Sequence, residues 1–292
     1  MINKSIIEQL VTEGILKTVN VFDSVDSTNL RAKEDVRLCL KEGDAGLALL
    51  GSRLPALYIS DNQTAGRGRL GRTWDTPAGR NIAMTYVVRP CVEPDRMPGI
   101  TILASIAVAR AVKSNVVDII QNGEGVPDIS DSIKIKWPND IVINGKKICG
   151  ILTELVSPGY SLCGIGINVN TETFPQELED RATSMYLETG RTWGLEKTAG
   201  DVIKNMSRLV TEYENRESLE FIREEYNSLL VHMNKEIFLV DKETPAKSGF
   251  ICRGIDETGA LLVEEPGSTG ENINIRKIIS GEISVRGVYG YV

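Results

Sequence analysis

The chain has 292 residues, of which 41% are hydrophobic and 25% charged, with a formal net charge of −7. That is enough chain for one large domain and a small one, with a core that needs no disulfide or metal staples. The acidic balance argues against a protein that holds nucleic acid through its phosphates. A single histidine and five scattered cysteines (Cys39, Cys91, Cys149, Cys163, Cys252) exclude a zinc-ligand cluster and suit a reducing compartment.

The chain opens with an amphipathic helix carrying Ile6, Ile7, Leu10, Val11 and Leu16, weakened near Gly14. This segment lacks the apolar core of a signal peptide. No stretch is read as approaching the roughly 18 to 20 apolar residues of a membrane span, so the expectation is a cytoplasmic protein with no membrane partner. A strand is expected at 19–25, then a helix capped by Asp26 or Ser27 and running to about Lys41. Strands follow at 47–50 and 57–60. From 61 to 81 the pattern stops, which marks a long loop, functional or disordered. Next come a strand at 82–88, a buried helix at 100–112, a polar insertion at 122–131 and a strand at 133–137. Asn144-Gly145 is a strong hairpin signal joining 140–143 to 147–155. A glycine-containing strand at 160–169 precedes three helical patterns between about 175 and 232. Beyond 234 short strands are expected at 236–240, 249–255, 260–264, 273–275 and 282–286, with a turn at 256–259. This spacing suggests a small barrel, so the expected domains are 1–233 and 234–292.

Five motifs carry polar chemistry. The run DNQTAGRGRLGRTW contains Gln63, Gly66, Arg67, Gly68, Arg69, Gly71, Arg72 and Trp74. Arginines spaced by glycines can converge on a phosphate or carboxylate, with backbone N–H groups adding to the nest. The same run also reads as a flexible basic or RNA-contacting loop. Lys136-Trp137-Pro138-Asn139-Asp140 lies at a strand end, where sites collect, and equally makes a good turn. Of Lys146 and Lys147 one should point inward if the strand alternates, and spacing does not say which; a lysine beside a hairpin turn also reads as a solvated edge residue. Gly164 and Gly166 clear one strand face for a flat ligand, or mark a bulge. Asp26-Ser27-Thr28-Asn29 is either a helix start or a polar ligand-binding patch. No P-loop or G-x-S-x-G is present, and the lone His232 is read as structural.

Together, and in this order, DSTN (26–29), QTAGRGRLGRTW (63–74), KWPND (136–140), GKKICGILTEL (145–155) and GIGIN (164–168) resemble the biotin protein ligase family. GIDETGALLVE and SGEISVR in the tail are similar to its small C-terminal domain. The resemblance implies an α/β (α+β) fold: a mixed sheet with helices, like class II aminoacyl-tRNA synthetases, then an SH3-like β-barrel. It implies biotin and ATP as substrates, Mg²⁺ as cofactor, metal ligands unknown, and a biotin carrier domain as protein partner. Ser27, Thr28, Asn29, Gln63, Gly66, Arg67, Gly68, Arg69, Lys147, Gly164 and Gly166 match biotin-binding positions, while Arg69, Arg72, Trp74, Asn139, Lys147 and Asn168 match ATP-binding ones. Lys147, Arg69 and Asp140 are the expected catalytic set, with Asp140 as proton acceptor. Too little chain precedes residue 26 for the helix-turn-helix domain of some members, so no DNA binding is expected. Relatives are monomers or side-by-side dimers. The alternatives are a lipoate-protein ligase, a non-catalytic biotin-binding module and, least favoured by charge, an RNA binder.

Overall fold

The computed structural model describes residues 2–123, 125–240, 249–267, 274–279 and 284–287. Parts of the strands expected at 273–275 and 282–286, and one residue of the 122–131 insertion, lie outside these.

A seven-stranded sheet forms the body of the molecule. Its strands are β1 (Thr18–Phe22), β2 (Ala56–Ser60), β3 (Ile82–Val88), β4 (Ile133–Lys136), β5 (Asp140–Ile143), β6 (Lys146–Val156) and β7 (Tyr160–Ile167), in spatial order β1-β2-β3-β7-β6-β5-β4. Only β1 and β2 run parallel; every other neighbour pair is antiparallel, so the sheet is mixed as expected. The hairpin signal is realised: Asn144 and Gly145 both take positive φ, 49° and 78°, as a two-residue turn of this hand requires.

Alternation along the strands splits the core. Leu57, Ile59, Met84 and Tyr86 belong to the cluster that includes helices α1 (Lys4–Thr12), α4 (Gly99–Gln121) and α6 (Leu195–Arg216). Tyr58, Val87 and Leu162 pack with α2 (Thr28–Lys41) and α3 (Gly43–Arg53). Two further helices, α5 (Met185–Thr189) and α7 (Glu220–Leu229), complete the three expected between 175 and 232, although the first begins only at 185.

Three expectations are corrected. Residues 47–50 are helical, within α3; Gly46 and Leu50, four apart, are buried while Leu47 and Leu49 are exposed, a helical face. The helix expected at 100–112 runs from Gly99 to Gln121, because Val116, Ile119 and Ile120 continue its apolar contacts. By length and composition, residues 94–121 do contain an 18-residue stretch apolar enough for a membrane span, with a mean hydropathy of 1.5, yet 72% of that stretch is buried in the protein, as in a core helix.

A second, antiparallel sheet of five strands follows, in order β11-β10-β9-β8-β12: β8 (Glu236–Val240), β9 (Phe250–Ile255), β10 (Leu261–Glu264), β11 (Ile275–Ile278) and β12 (Ser284–Gly287). It is the small SH3-like unit of the expected α/β architecture. One continuous core joins the two sheets through Ile237, Cys252 and Leu261. The Trp137 Nε1–H donates to the Gly259 carbonyl at 3.0 Å, and the Val231 N–H to that of Ile135 at 2.9 Å. Trp137 is therefore a seam residue. His232 lies at the same seam, buried, and burial first, then Lys136 and Lys235, bring its pKa down to about 4.

Candidate functional site

A shallow cleft opens over β3, β6 and β7, beside the N-terminus of α2. Of the residues singled out in the sequence, Ser27, Thr28, Asn29, Gln63, Arg67, Gly68, Arg69, Trp74, Asn139, Lys147, Gly164 and Gly166 line it. Motifs far apart in the chain thus share one surface.

The first end is neutral. Ser27 holds the N-cap position of α2 with an extended backbone, but its side chain makes no capping bond. Gln63 caps the helix instead, its Oε1 accepting the Thr28 N–H at 2.8 Å. Both readings of the motif therefore hold in part, since the residues that start the helix, Ser27 and Thr28, also line the cleft. Asn29 donates from Nδ2 to the Leu152 carbonyl (3.2 Å) and to Glu154 Oε2 (3.1 Å). Thr85 of β3 touches Thr28 Oγ1 at 2.8 Å and Asn29 Oδ1 at 2.6 Å.

The second end is charged. The loop from 61 to 81 folds back on itself: the Gly68 N–H donates to the Arg72 carbonyl (2.7 Å) and the Trp74 N–H to that of Gly66 (2.9 Å). This brings Arg69 over the end of the β4–β5 connection, where it donates to Asn139 Oδ1 at 2.9 Å. Asn139 is pinned in turn, its Nδ2 donating to the Ile151 carbonyl at 2.9 Å. Burial lowers the Arg69 pKa from its usual value, Asp140 opposing and Arg72 adding to the fall; a guanidinium nevertheless stays charged.

Of the two lysines, Lys147 turns inward. The β5–β6 pairing slips between Ile141 and Val142, so that Ile141 faces Cys149 but Val142 faces Lys147. Such a bulge re-aims side chains. Lys147 Nζ lies 2.6 Å from Asp140 Oδ1 and 5.6 Å from the centre of the Trp74 ring. Lys146 instead donates outside, to the Glu179 carbonyl at 2.8 Å.

The two strand glycines clear the floor, each for a different neighbour. A Cβ on Gly166 would lie 2.4 Å from the Trp74 indole, and one on Gly164 would lie 2.4 Å from Asn29 Oδ1. Both are closer than any carbon could sit.

Four expected residues do not line the cleft. Gly66 and Arg72 shape the loop's backbone. Asp140 stands behind Lys147. Asn168 is buried, donating from Nδ2 to the Thr183 carbonyl at 3.2 Å. The cleft also includes Met84, Gly150, Ile151, Leu152 and Ile165, which sequence reading did not single out. Gly150 could have been found, because it lies in the GKKICGILTEL run and pairs across the strands with Gly166. Glu154 lies in the same run but was not singled out within it, and Thr85 carried no sequence signal.

Residues 50–171 match the model of the Biotin/lipoate A/B protein ligase family, and residues 250–286 that of the Biotin protein ligase C terminal domain. The Bifunctional ligase/repressor BirA of Bacillus subtilis is 32% identical over 78% of this chain, and the match spans 66% of that protein's length. The Biotin--[acetyl-CoA-carboxylase] ligase of Paracoccus denitrificans is 30% identical over 82% of this chain and 92% of its own. Among solved structures, the biotin protein ligase from Aquifex aeolicus in complex with biotin and ATP is 28% identical, with a TM-score of 0.70 over 93% of this chain and 99% of that one. On these matches, the chain belongs to the biotin protein ligase family.

Proposed function

We propose that this chain is an ATP-dependent biotin–protein ligase. The biotin carboxylate attacks the α-phosphorus of ATP, pyrophosphate leaves, and biotinyl-5′-AMP is formed. A lysine amine of a biotin carrier domain then attacks the carbonyl of that mixed anhydride; AMP leaves and biotin is held in an amide. The observation that carries this reading is the cleft's division into a neutral, hydrogen-bonding end and a cationic end within one surface. A ligand with a polar uncharged ring and a carboxylate fits that division.

The residues act as follows. Ser27, Thr28, Asn29 and Gln63 receive the ring, over the floor that Gly164 leaves open. Lys147 and Arg69, with Arg67, draw the carboxylate and the α-phosphate together, offset their repulsion and stabilise the charge that builds up in transfer. The rest is positioning. Trp74 and Asn139 receive the nucleotide, Arg72 its outer phosphates, and Asn168 holds the wall behind them. Asp140 holds Lys147 and is assigned to accept the proton released by the attacking amine, directly or through a water.

Bound with ATP, Mg²⁺ would supply charge shielding for its phosphates. Among the described residues no group of three or more histidine, cysteine, aspartate or glutamate side chains stands together; Asn139, at the nucleotide end, would contact the nucleotide or its metal. The residues that carry this reading all lie in 1–233, which we take as the catalytic domain, with 234–292 as the second.

Pyrophosphate release tests the reading directly. With ATP and Mg²⁺ it should require biotin. Lipoate is the second arm, because the matching family model covers lipoate ligases too. Release with lipoate and not biotin would move the substrate to that branch; release with neither would refute adenylation.

A further inference from the structure

Behind the neutral end of the cleft, three side chains that the functional reading leaves unused, Glu154, Lys33 and Thr85, join Asn29 and Thr28 in one chain of contacts. Glu154 of β6 pairs with Lys33 of α2, Oε1 to Nζ at 2.6 Å, both about a quarter exposed. Its Oε2 accepts from Asn29 Nδ2, which also donates to the Leu152 carbonyl. Both partners are acceptors only, so the Asn29 amide has one allowed orientation, with Oδ1 turned to Thr85. Thr85 is fully buried and contacts two oxygens, Asn29 Oδ1 at 2.6 Å and Thr28 Oγ1 at 2.8 Å. It has one proton to give. An amide oxygen cannot donate, so that proton goes to Asn29. The contact with Thr28 is then a hydrogen bond only if Thr28 donates. The rival acceptor, Gln63 Oε1, is farther from Thr28 Oγ1, at 3.2 Å, and already takes the Thr28 N–H. Thr28 lines the cleft, so its hydroxyl oxygen keeps lone pairs for a ligand there.

Resting on the functional reading above, we propose that the Glu154–Lys33 pair, acting through Asn29 and Thr85, fixes the Thr28 hydroxyl as an acceptor and so selects a ligand ring that presents an N–H. Glu154, Lys33 and Thr85 are positioning residues. A ureido ring carries the required N–H; a disulfide ring carries none. An ionised carboxyl can only accept, so Glu154 reinforces the direction that the Leu152 carbonyl already favours. Burial raises the Glu154 pKa, but the hydrogen bonds from Lys33 and Asn29, with the charges of Lys33 and Arg67, outweigh it and the group ends below its usual value.

The test compares the full chain with Thr85→Val and Thr85→Ser by biotin-dependent pyrophosphate release. Valine keeps the shape and loses the hydroxyl, which frees the Thr28 proton to turn into the cleft. Thr85→Val should raise KM for biotin about tenfold, the usual scale for one buried hydrogen bond set wrong. Its kcat should stay within about twofold and its KM for ATP unchanged, and Thr85→Ser should recover most of the loss. An unchanged KM in Thr85→Val, or a Thr85→Ser as impaired as Thr85→Val, overturns the inference while leaving the ligase reading intact. Should Thr85→Val not fold, Glu154→Leu tests the chain's other end: it should raise the same KM about threefold, with Glu154→Gln, which keeps an acceptor for Asn29, closer to the parent. Equal KM values in all three would overturn the proposal. A parent chain with no biotin-dependent release overturns the functional reading and this inference with it.

Discussion

At one end of the cleft the wall is neutral and wired together; at the other it is charged and assembled from separate pieces. The neutral end joins the start of α2 to β3 and β6 through a run of hydrogen bonds among buried or half-buried groups. The charged end brings together a loop arginine, an asparagine after β4 and a lysine at a bulge in β6. The first is fixed by the fold before any ligand arrives, so it suits recognition. The second concentrates positive charge where negative charge will gather, so it suits chemistry. Variants should therefore separate: changes at the neutral end act on biotin KM, changes at the charged end on kcat, on retention of the intermediate or on ATP KM.

The largest effect is expected at Lys147. Lys147→Ala should lower kcat for pyrophosphate release by about 10²-fold or more, and Lys147→Arg should recover little, because a planar fork does not replace a point charge held by Asp140 at 2.6 Å. Arg69→Ala should come next. It loses the bond to Asn139 that docks the loop, so biotinyl-5′-AMP should escape on the order of tenfold faster, measured as label retained after gel filtration. Unchanged retention would mean the loop does not guard the intermediate. The two floor glycines sharpen the comparison further. Gly166→Ala displaces the Trp74 ring and should raise KM for ATP, whereas Gly164→Ala displaces Asn29 and should raise KM for biotin, each by a few-fold to about tenfold. The same KM rising in both would erase the distinction between the ends.

Most of the site was legible because its residues sit in loops and at strand ends, where a polar cluster has few structural duties. The bulge that turns Lys147 inward was not legible, since it depends on which residues of β5 and β6 pair and not on either strand's own pattern. Thr85 was hidden for a related reason. A threonine in the middle of an apolar strand reads as an ordinary strand former, and its importance comes from Thr28 and Asn29 packing against it. In the fold, the apolar run at 47–50 was too short for periodicity to separate strand from helix. The far half of α4 was missed because polar Lys113, Ser114 and Asp118 interrupt the run, although the buried face continues through Asn115 and Val116.

The smallest effect on activity is expected at the seam between the sheets, far from either end of the cleft in role. His232 has a folded-state pKa brought down to about 4, by burial first, from an ordinary 6.5. Below the unfolded value the unfolded chain gains a proton that the folded chain refuses. The stability held above pH 6.5 is thus lost as pH falls toward 4, on the order of 2–3 kcal/mol. His232→Gln should flatten that limb in denaturant titrations across pH and leave kcat at neutral pH unchanged. An unaltered acid limb would show that other groups set it.

The most direct test of the central claim, that one cleft activates biotin and passes it on, is the intact mass of a biotin carrier domain incubated with this chain, ATP, Mg²⁺ and biotin. The account predicts a gain of one biotinyl group, absent when biotin is replaced by lipoate or ATP is withheld. A carrier domain of unchanged mass, or one that gains a lipoyl group instead, would contradict it.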